Sequence, residues 1–169
     1  DAITDPNPLL SSASFPPFDH IKPEHVVPAV RQVLRTLNAE LQQLETQVQP
    51  TWQGLVEPLE RLGDRLNVTW GIVGHLMGVQ NSDALRQAHQ EVQAEVVQFS
   101  MRMGQSLAIY HGLKALQAGP AWATYDAGQR RIVEALRRDA EHGRRRPQRF
   151  ADEAPDDEPV EEATQEASP

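Results

Sequence analysis

Residues 30–48 read VRQVLRTLNAELQQLETQV. Val30, Leu34, Leu37, Leu41, Leu44 and Val48 recur at spacings of 4, 3, 4, 3 and 4, which an α-helix gathers into one narrow apolar seam. Such a seam packs lengthwise against a partner helix. Upstream, Lys22-Pro23-Glu24 starts the helix. Proline is tolerated in a first turn, where its missing N–H would have had no intrahelical partner, and Glu24 sits near the positive end of the helix dipole. Pro50 marks the end, and Thr51 is placed to cap a second helix. The first helix is therefore predicted from Pro23 to Val48.

The second helix, predicted from Thr51 to Met77, repeats the device with Trp52, Leu55, Leu59, Leu62, Leu66, Val73 and Leu76, and Trp70 lies beside the seam. Pro58 removes one backbone hydrogen bond and should bend this helix without ending it. Two seamed helices joined at Gln49-Pro50 are most economically antiparallel neighbours. A third helix begins at the Asn81-Ser82-Asp83 cap and carries Leu85, Ala88, Val92, Val96, Phe99 and Met103 inward before Gly104 weakens it. Ser106 to Gln117 reads as a short continuation or a separate helix, Gly119-Pro120 breaks the chain, and Trp122 to Arg138 forms the last helix, burying Tyr125, Ile132, Val133 and Leu136. No segment alternates as a half-buried strand does. The fold class is all-α: an antiparallel bundle of four to five helices. Residues 1–21, with Pro6, Pro8, Pro16 and Pro17, form an extended proline-rich N-terminal segment, and residues 22–139 form the helical domain.

The remainder, residues 140–169, reads as a basic-then-acidic disordered tail. Residues 152–169 hold eight acidic residues and no basic one, so the net charge of −8 belongs entirely to this end. Three prolines and few apolar side chains leave it too little surface to bury against its ordering entropy. Arg137, Arg138, Arg144, Arg145, Arg146 and Arg149 precede it. Arginine clusters can hold phosphates, but beside eight carboxylates these are expected to be neutralised within the chain, and no nucleic-acid-binding motif accompanies them. No nucleic-acid partner is expected. At 169 residues the chain is about one domain long, and it has no cysteine, so no disulfide or thiol chemistry. No apolar run is long enough for a membrane span, so the protein is expected to be soluble, in cytoplasm or in an organellar matrix or stroma. Its first residue is Asp1, which fits a processed, trimmed or partial chain.

Seven segments carry a resemblance. NPLL (Asn7 to Leu10), PPFDHIKPEHVVPAV (Pro16 to Val30), W-x-x-L-V-x-P-L-E (Trp52 to Glu60) and DRL (Asp64 to Leu66) resemble, in this order, the amino-terminal domain of the oligopeptidase A and thimet oligopeptidase family. HLMGVQNSDALRQAH (His75 to His89), GQSLAIYHGLKAL (Gly104 to Leu116) and GQRRIVEALRRD (Gly128 to Asp139) continue it. The resemblance implies a parent that is a zinc metallopeptidase cutting short peptides. Its nearly all-helical body is divided by a deep channel, and the amino-terminal helices wall that channel and restrict access to unstructured peptides.

In the resembled enzymes an H-E-x-x-H helix binds zinc through two histidines on one face, and the intervening glutamate activates a water. This chain lacks the motif. Its histidines are His20, His25, His75, His89, His111 and His142, with no pair four apart; His89-Gln90-Glu91-Val92-Gln93 is the nearest echo. No catalytic, cofactor-binding or metal-binding residue is therefore expected, and zinc belongs to the parent family.

Blander readings hold for the other candidates. His75 and His89 flank the Asn81 turn, where an acid-base or metal pair is conceivable, but neither has a carboxylate at ligand spacing, so they read as surface or capping residues. Trp52, Trp70 and Trp122 read as packing rather than as a peptide groove, and Met77, Met101 and Met103 as gap fillers. Asp64, Arg65 and Asn67 form a polar group that either reaches toward a further lobe or is a solvated face. From His142 onward the resemblance stops, as a fragment, splice form, frameshift or short paralogue would make it. The chain thus reads as the non-catalytic front domain of such a peptidase, a fragment or an inactive remnant. The alternative is a structural or accessory subunit of a larger assembly. Either way an apolar helical face is expected to meet a protein partner or a second copy.

Overall fold

Several helices start where a side chain takes over a backbone amide that has no partner within the helix. The computed structural model describes residues 7–11 and 16–152, with side chains described as far as residue 144. Five α-helices follow in order: α1 Pro23–Thr46, α2 Glu57–Val79, α3 Asp83–Gln105, α4 Leu107–Ala118 and α5 Ala127–Asp152. There is no strand among the described residues. Asn7 caps a short 3-10 turn, accepting from the Leu9 amide at 3.0 Å, and its Nδ2 donates to the His25 carbonyl at 2.9 Å. That bond ties the N-terminal segment to the first turn of α1. Ser82 Oγ accepts from the Leu85 amide at 3.2 Å and Ser106 Oγ from the Ile109 amide at 3.4 Å, which sets the starts of α3 and α4.

The seams pack as their spacing requires. Leu37 and Leu41 on α1 are fully buried, Leu62 on α2 is 2% exposed, and Leu44 and Val48 at the end of the first seam are half-buried. Arg65 pairs with Glu40 at 2.6 Å, and Phe18, just ahead of α1, tilts against His75 near the end of α2. Helix α2 is therefore antiparallel to α1. Helix α3 runs the other way: Arg31 reaches Glu91 at 3.1 Å and Glu95 at 2.8 Å, while Arg102 reaches Glu45 at 2.9 Å. Two successive reversals thus set α3 parallel to α1, and α1 packs more extensively on α3 than on α2. Val92, Val96 and Phe99 of α3 join the core beneath it.

Three expectations are corrected. The second helix does not open as an α-helix at Thr51: Trp52–Val56 form a single π-helical turn, capped by Thr51 Oγ1 on the Gly54 amide at 3.0 Å, and α2 proper begins at Glu57. Pro58 explains this, because it has no N–H to give the carbonyl one turn back and its ring crowds that carbonyl. The wider turn takes up the misfit ahead of the proline, so the bend expected within α2 lies at its start.

The last helix begins at Ala127, and Trp122 sits instead in a 3-10 turn, Pro120–Thr124. Asp126 Oδ1 accepts from the Gln129 amide at 2.8 Å and Gln129 Oε1 from the Asp126 amide at 3.1 Å, a reciprocal cap that fixes the start. Within α5, Val133 is fully buried, Leu136 is half-buried, and Ile132, expected inside, is 37% exposed; Tyr125, just ahead of the helix, is half-buried. Val133, Leu136 and Ala140, spaced three and four apart, form the inner face, and Ile132 falls beside it.

Third, α5 runs on to Asp152, so the domain boundary expected at residue 140 falls within a helix. Ala140 is buried, Arg137 pairs with Glu141 one turn on, and the Arg144 guanidinium lies over the Tyr110 ring at 4.7 Å. Arginine is also a good helix former, so the basic cluster favours the helix. A Cβ at Gly143 would stand 2.7 Å from the Gly104 carbonyl oxygen, so only glycine lets α5 approach α3 this closely. The disorder expected for the acidic residues 153–169 lies outside the described residues.

Candidate functional site

The predicted polar candidates disperse in three dimensions. His75 turns to Phe18, with ring centroids 5.1 Å apart, whereas His89 stacks on Trp70 at 4.4 Å with ring planes 21° apart. Each histidine covers an aromatic ring. Among the described residues, no group of three His, Asp or Glu side chains is placed to hold a metal ion. Trp52 and Trp122 both meet Tyr125 edge-on, at 5.8 and 6.0 Å, and Arg130 covers Trp122 at 5.7 Å. These aromatics close the far end of α4 over the core. They line neither of the two grooves described below.

Of the polar group on α2, Arg65 pairs with Glu40, while Asp64 and Asn67 are exposed. Met77 and Met103 are half-buried against the core, as gap fillers are; Met101 is 44% exposed. The Arg31 guanidinium is pushed above its ordinary value by its hydrogen bond to Glu95 and by the neighbouring charge of Glu91. Its charge is spent within the α1–α3 rim.

The surface that stands out includes Met101, Trp70 and Asn67, which the sequence had offered separately, and Val97, which it had not. Val97 and Met101, one turn apart on α3, are 50% and 44% exposed and form a ridge. On one side runs a groove of about 1290 Å³ between α1 and α3, floored by Leu34 and Phe99. On the other lies a groove of about 770 Å³ bounded by Leu66, Asn67 and Trp70 of α2 and His142 and Gly143 of α5. From Gln87 to Met101 the exposed residues of α3 are uncharged except Glu91, which pairs with Arg31. On α2, Asn67 to Val79 contains no Asp, Glu, Lys or Arg. A solvated helical face is normally charged. The seam register carried the signal: with Val92, Val96 and Phe99 inward, Val97 and Met101 fall on the outer side.

Sequence comparison places this helical array. The sequence model described as the neurolysin/thimet oligopeptidase N-terminal domain matches residues 30–144. The chain is 45% identical over 140 residues to an organellar oligopeptidase A, chloroplastic/mitochondrial, of Arabidopsis thaliana, covering 83% of this chain and 18% of that protein. It is 47% identical over 134 residues to a probable cytosolic oligopeptidase A of the same plant, covering 79% of this chain and 19% of that protein. Oligopeptidase A of Escherichia coli is 35% identical over 136 residues, covering 80% and 20%. The chain therefore belongs to the family of neurolysin/thimet oligopeptidase N-terminal domains. It spans about a fifth of the length of the curated relatives it matches. Those relatives include cytosolic and organellar proteins, and no described helix is long and apolar enough to cross a membrane.

Proposed function

We propose that this chain serves as the non-catalytic N-terminal domain of an oligopeptidase A-type peptidase, forming part of the wall that admits short peptides to a catalytic lobe. The observation that carries this reading is the match to the N-terminal domain over residues 30–144, in a sequence that contains no H-E-x-x-H. A catalytic zinc needs three protein ligands in fixed geometry with a base beside the open position. The six histidines here have no ligand spacing; five lie on aromatic or backbone partners and His20 beside one carboxylate, Asp19, so these residues do not fit a zinc site. The chain's own contribution is shape: a rigid helical wall whose internal charges are paired.

The test is a chimera in which residues 7–144 replace the matching fifth of the Arabidopsis organellar oligopeptidase A. Hydrolysis of a quenched-fluorescence peptide should exceed that of the same relative lacking its N-terminal fifth. Equal rates for the two would overturn the reading. The isolated chain with added zinc should give no chelator-sensitive turnover; turnover by pure protein would show a site within it.

A further inference from the structure

The exposed apolar side chains are unevenly distributed. Val68, Val79, Leu107 and Ile132 stand singly on their helices, which is ordinary for a protein surface. Val97 and Met101 form a continuous ridge that is the common wall of two grooves. Uncharged amides and small side chains, Gln90, Gln93, Ala94 and Ser100, surround it. On the α1 side Arg31 pairs with Glu91 and Glu95 and Arg102 with Glu45, while Arg35 and Asp139 stand further out on the walls of the two grooves. Val97 and Met101 themselves carry no charge, so covering the ridge avoids the principal cost of burying a helical face, with Arg35 and Asp139 left at the rim. An apolar centre containing methionine inside a polar rim is the composition of an interface.

We infer that the Val97–Met101 ridge of α3 is the docking face for the rest of an oligopeptidase A-type chain, an inference that rests on the function proposed above. Two observations select this occupant. In the relatives the matched domain is joined to a polypeptide about four times its length, which holds that neighbour at high effective concentration. The family match ends at residue 144, and His142 and Gly143, immediately before that point, line the groove beside Met101. The chain that continues past this position in the relatives therefore leaves the domain at the edge of the ridge. A second copy of this chain has no such tether.

Methionine oxidation reads the prediction directly, because a thioether reacts with peroxide when it is exposed. In the isolated chain Met101 should oxidise faster than the half-buried Met77 and Met103. In the chimera described above, Met101 oxidation should slow about tenfold, with Met77 and Met103 nearly unchanged. Val97→Asp with Met101→Asp should speed tryptic release of the domain from the chimera about tenfold while leaving the melting curve of the isolated chain in place, whereas Val79→Asp should do neither. A hydrolytically active chimera whose Met101 stays as reactive as in the isolated chain would overturn the inference and leave the proposed function standing. An inactive chimera would remove the function and the inference with it. Concentration-dependent protection of Met101 in the isolated chain would overturn the inference in favour of a second copy.

Discussion

Helices α3 and α5 each turn one side to the core and one to solvent, but they dress the outer side differently. Along α5 the exposed residues include Arg131, Glu134, Arg138, Asp139 and Arg144, whereas α3 between Gln87 and Met101 exposes one charge, Glu91, already paired. Charged side chains keep a helix face in water because stripping them of water is expensive; amides, alanine and half-exposed valine or methionine give up water at little cost. Hydrophobic content alone would miss this contrast, since α5 also exposes Ile132. The discriminating quantity is the density of charge on the outer side of the helix that carries the apolar group.

The comparison breaks first if the inner sides are not the source of stability. Leu37→Ala should cost about 2 to 5 kcal/mol, because Leu37 is fully buried between α1 and its neighbours and a cavity would remain. Urea titration measures this, and a loss under about 1 kcal/mol would mean that the seam is loosely packed. Next in size is the α3–α5 crossing. Gly143→Val places carbon against the Gly104 carbonyl and should cost about 1 to 3 kcal/mol, read from the same titration. If it is neutral, α5 does not sit against α3 and the second groove loses a wall.

A smaller effect separates paired charge from absent charge. Arg31→Ala should cost about 0.2 to 1 kcal/mol, since the guanidinium and its carboxylates are partly exposed, and the cost should shrink in high salt. Thermal melts at low and high ionic strength would expose a salt-independent loss, which would make Arg31 a packing residue. The smallest effect belongs to the ridge itself. Val97→Asp in the isolated chain should change stability by less than about 0.5 kcal/mol, because half of the side chain is already in water. A larger loss would assign Val97 to the core.

Much of the fold was legible because local rules and tertiary packing agree. Thr51 and Ser106 stand where the helix signals put them, and Ser82 within the expected Asn81-Ser82-Asp83 cap. The failures are also local in origin. Pro58 was read as a bend within a helix, but the misfit was absorbed one turn earlier, by a π-helical turn whose neighbours Val48 and Leu55 pack on α4. Gly112 permits that approach: a Cβ there would stand 2.5 Å from Val48 Cγ1 and 3.0 Å from Leu55 Cδ2. The reciprocal cap between Asp126 and Gln129 was present in the sequence but outweighed by Trp122. Less of the candidate site was legible. Aromatic and histidine residues drew attention by type, while the ridge rests on residues that are ordinary singly and become notable only when their register and the pairing of their neighbours are known.

By itself the sequence determined four to five helical segments, the inward positions of the first three, the family resemblance of the front of the chain and the absence of an H-E-x-x-H motif. These follow from spacing and residue type, which are properties of the chain read in order. Only the tertiary structure decided that α1 and α3 run parallel, that α5 continues past residue 140 to cross α3 at paired glycines, and that Arg31 and Arg102 spend their charge on Glu91, Glu95 and Glu45. The physical reason is range. Helix formation and capping act within a few residues, whereas the charge state of a surface depends on partners 57 to 64 positions away, brought close only by packing.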